Sequence, residues 1–256
     1  MTVELSRLGS CAVITLNRPE ALNALSFKIL RDLSALLDQV ASQSDVRALL
    51  VVGTGEKAFC AGADIKELRH RRLIDQKRGA ELGQSVFAKL DTLPVASIAL
   101  VNGYAFGGGC ELALACTFRL AARNAIFALP EIKLGLIPGY GGTQRLPRLI
   151  GEGRALEIIM TGRQVKAEEA ERIGLVNAVV DGDLIQAGLE FAGRMTRYSL
   201  PVLEFARRAV QRAAGVALPE GLRIEADLST LAYNTGDSEE GMGAFEEKRK
   251  PEFKDA

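Results

Sequence analysis

The chain has 256 residues, 48 % of them hydrophobic, with Lys plus Arg equal to Asp plus Glu at 32 each and a single histidine. That length and apolar content suit one large domain, or a domain with an appendage, around a sizeable core. Zero net charge excludes the basic footprint of a nucleic-acid or anionic-membrane binder, so any phosphate the chain meets must be met by local groups.

From the N-terminus, Val3 to Leu16 alternates apolar and polar residues around Gly9-Ser10, which predicts a β-hairpin ended by Asn17-Arg18-Pro19. A helix is expected from about Ser26 to Ser42, with Ser26 as cap and Ile29, Leu30, Leu33, Leu36, Leu37 and Val40 as its apolar stripe. Ala48 to Val52 is a continuous apolar run, suited to a strand buried on both faces. Phe59 to Asp64 reads as a glycine-containing loop, Lys66 to Arg78 as a solvated, charged helix face, and Ala80 to Leu90 as a helix. Val95 to Val101 is a second apolar strand, which ends at Asn102-Gly103 and leads through Gly107-Gly108-Gly109 into a helix beginning near Glu111.

Beyond a further glycine cluster at Gly139, Gly141 and Gly142 the pattern turns helical: Arg154 to Met160, Ala167 to Arg172, Leu184 to Thr196, Pro201 to Ala213, Glu220 to Tyr233 and Glu239 to Lys248. Only Leu175 to Val180 reads as a strand there. Alternating elements followed by helices predict an α/β class, with a core over residues 1–180 and a helical C-terminal region over 181–256. No repeat period is evident by inspection.

The chemistry concentrates around the triple glycine. Successive glycines leave backbone N–H groups unshielded, and the start of the following helix favours negative charge. Glu111 lies just inside that helix, and Glu131 follows Pro130 ahead of the second glycine cluster. Two carboxylates beside an anion-stabilising turn point to acid–base chemistry next to a polarised carbonyl. Other devices are excluded: the lone His70 sits in a charged stretch, so neither a Ser-His-Asp nor a Cys-His set assembles, and no phosphate-binding loop signature occurs. The four cysteines, Cys11, Cys60, Cys110 and Cys116, form no C-x-x-C pair and read as free thiols in a reducing compartment, without a metal site. No apolar run approaches the ~20 residues of a membrane helix, and Met1-Thr2-Val3 leads into strand-like sequence without a secretory pattern. A soluble, cytoplasmic protein is expected.

The runs N-G-Y-A-F-G-G-G-C-E-L-A, P-E-I-K-L-G-L-I-P-G-Y-G-G-T-Q-R-L and A-F-C-A-G-A-D-I-K-E-L, with R-P-E-A-L-N-A-L near the start and F-E-E-K-R-K-P-E-F near the end, resemble the enoyl-CoA hydratase/isomerase (crotonase) superfamily over nearly the whole chain. The resemblance implies a spiral of β-β-α turns with a C-terminal helical region that trimerises, often as a dimer of trimers. It implies an acyl-CoA thioester substrate, with coenzyme A entering as part of that substrate and no separate cofactor. The thioester carbonyl would be held by the backbone N–H groups of Ala63 and Gly108. Glu111 would activate a water and Glu131 would deliver a proton, hydrating a trans-2-enoyl-CoA to a 3-hydroxyacyl-CoA.

Coenzyme A contacts carried over in the same way are Ala21, Leu22, Ala61, Ala63, Asp64, Ile65, Lys66 and Gly108, with Phe245 and Lys248 supplied by a neighbouring subunit. Three positions depart from the family's usual pattern: Tyr140 and Ala128, where small residues or Gly are common, and Thr117, where Asp is common. Two alternatives stay open at this level. One is a double-bond isomerase on the same scaffold, which can run with one carboxylate. The other is an RNA-binding or scaffold relative using Arg69, Arg71, Arg72, Lys77 and Arg78.

Overall fold

The computed structural model describes residues 2–256, which divide into two compact units meeting at Glu190 and Phe191. In the first unit, β1 (Val3–Leu8) and β2 (Cys11–Leu16) form the expected antiparallel hairpin. Helix α1 (Phe27–Ala41) begins where expected, because the Ser26 hydroxyl accepts the Ile29 N–H at 3.1 Å. Its buried face is Ile29, Leu30, Leu33, Leu37 and Val40, while Leu36 is half-buried. Strand β3 (Ala48–Gly53) then pairs parallel with β2, buried on both faces as its unbroken apolar run requires.

From β3 onward the chain repeats one manoeuvre. Strand β3 is followed by β4 (Ala58–Cys60), and then by α2 (Ile65–Leu68) and α3 (Leu73–Thr92). Strands β5 (Ala96–Val101) and β6 (Tyr104–Phe106) come next, followed by α4 (Gly108–Ala115). Strands β7 (Phe118–Ala122) and β8 (Ile126–Ala128) lead through a 3₁₀ turn, Pro130–Leu134, to α5 (Gly142–Ile150) and α6 (Glu152–Thr161). The unit ends with β9 (Val165–Lys166), α7 (Ala167–Arg172), β10 (Ala178–Val180) and the start of α8 (Leu184–Gly193).

In the pairs β3/β4, β5/β6 and β7/β8 the first strand joins a six-stranded sheet of order β1-β2-β3-β5-β7-β10 and the second a four-stranded sheet of order β4-β6-β8-β9; the β1-β2 hairpin lies wholly in the larger sheet, and β9 and β10 enter the two in the reverse order. Each β-β-α turn therefore adds one strand to each sheet, which is the spiral the resemblance implies.

Several elements correct the sequence reading. The stretch from Asn102 to Gly107, read as a turn, contains β6, and the loop read at Phe59 begins inside β4. Strands β7, β8 and β9 and helix α5 had no sequence counterpart. Strands β8 and β9, of three and two residues, show no period, β7 carries the charged Arg119 within its apolar run, and α5 carries Pro147 inside it, a residue that argues against a helix. The charged run from Lys66 to Arg78 is two helices separated by residues 69–72, with His70 outside both at φ 61°. Four of its basic groups are engaged locally. Arg71 stacks on the Phe27 ring at 4.1 Å, Arg72 and Arg78 pair with Asp75, and Lys77 pairs with Glu81. That arrangement is a salt-bridged helix surface.

The second unit is helical: α9 (Leu200–Arg212), α10 (Leu218–Tyr233) and α11 (Gly236–Glu246). The buried Asp237 carboxylate ties down the C-terminal tail, accepting the Lys254 and Asp255 N–H groups at 2.6 and 2.9 Å. Apolar side chains on α10 and α11, among them Leu222, Tyr233, Met242 and Phe245, remain exposed. Among the described residues no helix is long and apolar enough to cross a membrane.

Candidate active site

The site is built on the junction of β6 and α4. Gly107 carries φ 48° and ψ −124°, a conformation open to glycine, and its N–H is held by Ala128 O of β8 at 2.9 Å. A Cβ there would also stand 2.8 Å from Glu131 Oε1, so position 107 must be bare for the Glu131 carboxyl to lie against the turn. Helix α4 then starts at Gly108.

Opposite this turn runs the loop after β4. Leu25 N donates to Gly62 O and Asp64 N donates to Leu25 O, both at 2.8 Å, which pins the loop on either side of Ala63. The Ala63 N–H and the Gly108 N–H have no acceptor among the described residues. They lie together: the place a Cβ would take on Gly108 is 3.5 Å from Ala63 N. Unmade backbone donors are uncommon in folded chains, and two side by side form a ready receptor for one oxygen.

Glu111, one helical turn into α4, is 1 % exposed. Its Oε1 accepts the Tyr140 and Gly142 N–H groups at 2.8 and 2.7 Å. The second glycine cluster is thus the clamp that orients Glu111, a role its sequence did not reveal. Burial pushes the Glu111 carboxyl up to about 7; the nearby Glu131 charge adds a smaller push, and the backbone bonds oppose it. Glu131, carried by the 3₁₀ turn, is half-buried, and its Oε2 is buried with no hydrogen-bond partner. Burial raises its carboxyl as well. An unpartnered buried oxygen is costly as a carboxylate and cheaper as a protonated acid. The neighbouring thiols are poor nucleophiles, since burial drives Cys60 up to about 12 and raises Cys110 too.

The two glutamates, Ala63 and Gly108 therefore converge. The residues expected to meet coenzyme A in the first unit also adjoin one another. Leu22 O accepts the Ala61 N–H at 2.9 Å, which brings the turn after Ala21 against the loop of Ala61 to Lys66. Within that loop Asp64 is occupied: its Oδ2 pairs with Arg18 at 2.8 Å and its Oδ1 caps Lys66 N at 3.1 Å. Its carboxyl is held below the usual range by Arg18. Asp64 thus braces the loop, whereas Ile65 and Lys66 are exposed and available to a ligand. Phe245 and Lys248 belong to the second unit and are exposed there.

The family model for enoyl-CoA hydratase/isomerase matches residues 7–256. The chain belongs to that family, within the crotonase superfamily. It is 41 % identical to a short-chain-enoyl-CoA hydratase of Clostridium acetobutylicum, over 98 % of this chain and 96 % of the other. It is 45 % identical to a probable enoyl-CoA hydratase of Rhizobium meliloti, over 96 % and 95 %. Its fold superposes on the crystal structure of an enoyl-CoA hydratase from Bacillus anthracis with a TM-score of 0.95 and 38 % identity, covering 100 % of both chains.

As an enzyme of this family the chain has its three departures in distinct settings. Thr117 is structural: its N–H and hydroxyl exchange hydrogen bonds with Ser97 of β5. Ala128 is buried at the end of β8, where its carbonyl holds Gly107. Tyr140 is buried, with its ring beside Gly108 and its N–H bonded to Glu111.

Proposed function

We propose that the enzyme hydrates a trans-2-enoyl-CoA to a 3-hydroxyacyl-CoA, in fatty-acid or related acyl-CoA degradation. The observation that carries this reading is the pair of carboxyls, one buried and one half-buried, both with raised proton affinity, beside two unengaged backbone amides. In this reading the thioester oxygen accepts from Ala63 and Gly108, and the amides strengthen their hold as the oxygen gains charge. Such donors contribute ~3–4 kcal/mol each to the transition state.

Glu111 Oε1 is saturated by two amides, which leaves Oε2 to orient a water and take its proton while hydroxide adds to the β-carbon. Glu131, whose Oε2 has no other partner, delivers a proton to the α-carbon. The turnover leaves Glu111 protonated and Glu131 ionised, and a proton exchange through solvent resets the pair. An isomerase can work with one carboxyl; retention of two favours hydration. Incubation with crotonyl-CoA and mass analysis of the product tests this directly. Gain of one water supports it, whereas an unchanged mass after complete consumption points to isomerisation.

The pH dependence follows from the Glu111 environment. A base whose proton affinity is pushed up to about 7 is increasingly protonated, and so disabled, as the pH falls below that value. kcat/KM for crotonyl-CoA should therefore fall roughly tenfold per unit on the acid side of pH 7. A profile flat down to pH 5 would exclude Glu111 as the base.

The coenzyme A portion of the substrate is assigned to Ala21, Leu22 and Ala61 to Lys66 of one subunit, with Phe245 and Lys248 of a neighbour. A homo-oligomer, a trimer or a dimer of trimers, follows from that assignment. Phe245 is 86 % exposed in the single chain, which suits a residue completed by a partner. Truncation after Thr235 should lower the mass in solution and weaken binding of coenzyme A, measured by light scattering and calorimetry. An unchanged oligomer of unchanged affinity would overturn the assignment.

A further inference from the structure

Tyr140 is held in a way that its neighbours have been shaped to permit. A Cβ on Gly83, in the middle of α3, would lie 2.2, 2.5 and 2.6 Å from three carbons of the Tyr140 ring. Glycine in a helix interior costs roughly 1 kcal/mol relative to alanine, and here the missing methyl is the notch that seats the ring. The ring's other edge lies 3.1–3.2 Å from the place a Cβ would take on Gly108. Phe87, also on α3, meets it edge-on with centroids 5.8 Å apart and planes at 88°. Its backbone is fixed as well, through the Tyr140 N–H to Glu111 bond. The ring is thus clamped between α3 and the glycine turn, with Phe87 beside it.

We propose that Tyr140, seated in the Gly83 notch, is the wall that limits the acyl chain to short enoyl groups; this rests on the hydratase reading of the site. The geometry leads there in three steps. The spot over Gly108 is bounded by Ala63 N on one side and by the Tyr140 ring on another, so a thioester held by the two amides lies against that ring. Its α- and β-carbons must reach Glu131 and Glu111, and Glu111 is itself bonded to the Tyr140 backbone. Carbons beyond the β-position therefore run into a ring that has no room to retreat into α3.

Chain-length profiles of crotonyl-, hexenoyl-, octenoyl- and decenoyl-CoA test the wall. The parent should favour crotonyl-CoA. Tyr140→Ala should raise the ratio of kcat/KM for decenoyl- over crotonyl-CoA by ~10–200-fold, the range that a few methylenes in a pocket command. Tyr140→Phe, which keeps the ring, should retain the parent ratio.

Gly83→Ala provides a second route that leaves Tyr140 in place. Its new methyl drives the ring toward Gly108 and should lower kcat/KM for crotonyl-CoA at least ~10-fold, an effect that disappears in the Tyr140→Ala background because neighbours in contact are not additive. A Tyr140→Ala ratio equal to the parent's, or a Gly83→Ala effect that persists without the ring, would overturn the proposal. A parent that does not hydrate crotonyl-CoA at all would instead overturn the hydratase reading, so the two failures are distinguishable.

Discussion

Glu111→Gln and Glu131→Gln will each lower turnover of crotonyl-CoA by ~10²–10⁴ while leaving affinity for coenzyme A nearly unchanged. The amide keeps the shape of the carboxyl, and in Glu111→Gln its oxygen can still accept the Tyr140 and Gly142 N–H groups, so the clamp survives while proton exchange does not. The two costs should not multiply, because both groups act on one water and one double bond. Exchange of the α-proton of a saturated acyl-CoA with deuterated water assigns the roles. Glu131→Gln should slow it more, and the reverse order would exchange the two assignments.

Glu111→Gln has a second readout. A buried carboxyl raised from 4.5 to about 7 binds protons more tightly folded than unfolded, so stability from this group is present below pH 4.5 and is lost as the pH rises through 7. At pH 8 the ionised side chain costs about 3 kcal/mol by the size of that shift. The glutamine variant, neutral throughout, should melt higher than the parent at pH 8 and show little difference at pH 4.5. Lower activity with higher stability separates loss of the catalytic proton carrier from damage to the fold.

Gly108→Pro should reduce turnover by at least ~10²–10³, the usual consequence of deleting one oxyanion donor. Gly108 is the first residue of α4, the helical position where proline is best tolerated because its missing N–H makes no intrahelical bond. Gly108→Ala, which keeps the N–H but sets a methyl 3.1 Å from the Tyr140 ring in the space given to the thioester, measures the steric part of that loss, and the further loss in Gly108→Pro belongs to the donor. Activity of folded Gly108→Pro within a few-fold of the parent would remove this amide from the mechanism.

What the sequence revealed depended on how far each feature spreads along the chain. Helix α1 was legible because five buried residues recur at helical spacing behind a serine cap, and β3 and β5 because each is a long apolar run. The four-stranded sheet was invisible: β4, β6 and β8 have three residues each and β9 has two, too few to establish alternation. Their pairing is set instead by close backbone approach, as at Gly103, where a Cβ would lie 2.3 Å from Lys57 O.

The same holds at the site. Glu111, Glu131 and the glycine turn stood out as residue types. The clamp on Glu111 did not, because its donors are the backbone N–H groups of Tyr140 and Gly142, and a backbone donor leaves no mark on side-chain identity. The notch at Gly83 was hidden for a related reason: its partner lies in a segment 57 residues away, and only folding brings the ring to the missing methyl.

The central claim, that two carboxyls hydrate an enoyl thioester across its double bond, is tested most directly by turnover of crotonyl-CoA in oxygen-labelled, deuterated water. The account predicts a product carrying one labelled oxygen at the β-carbon and one deuterium at the α-carbon, with Glu131→Gln and Glu111→Gln each suppressing both labels together. A product with deuterium but no labelled oxygen and a displaced double bond, or a Glu131→Gln enzyme that incorporates both labels at the parent rate, would contradict it.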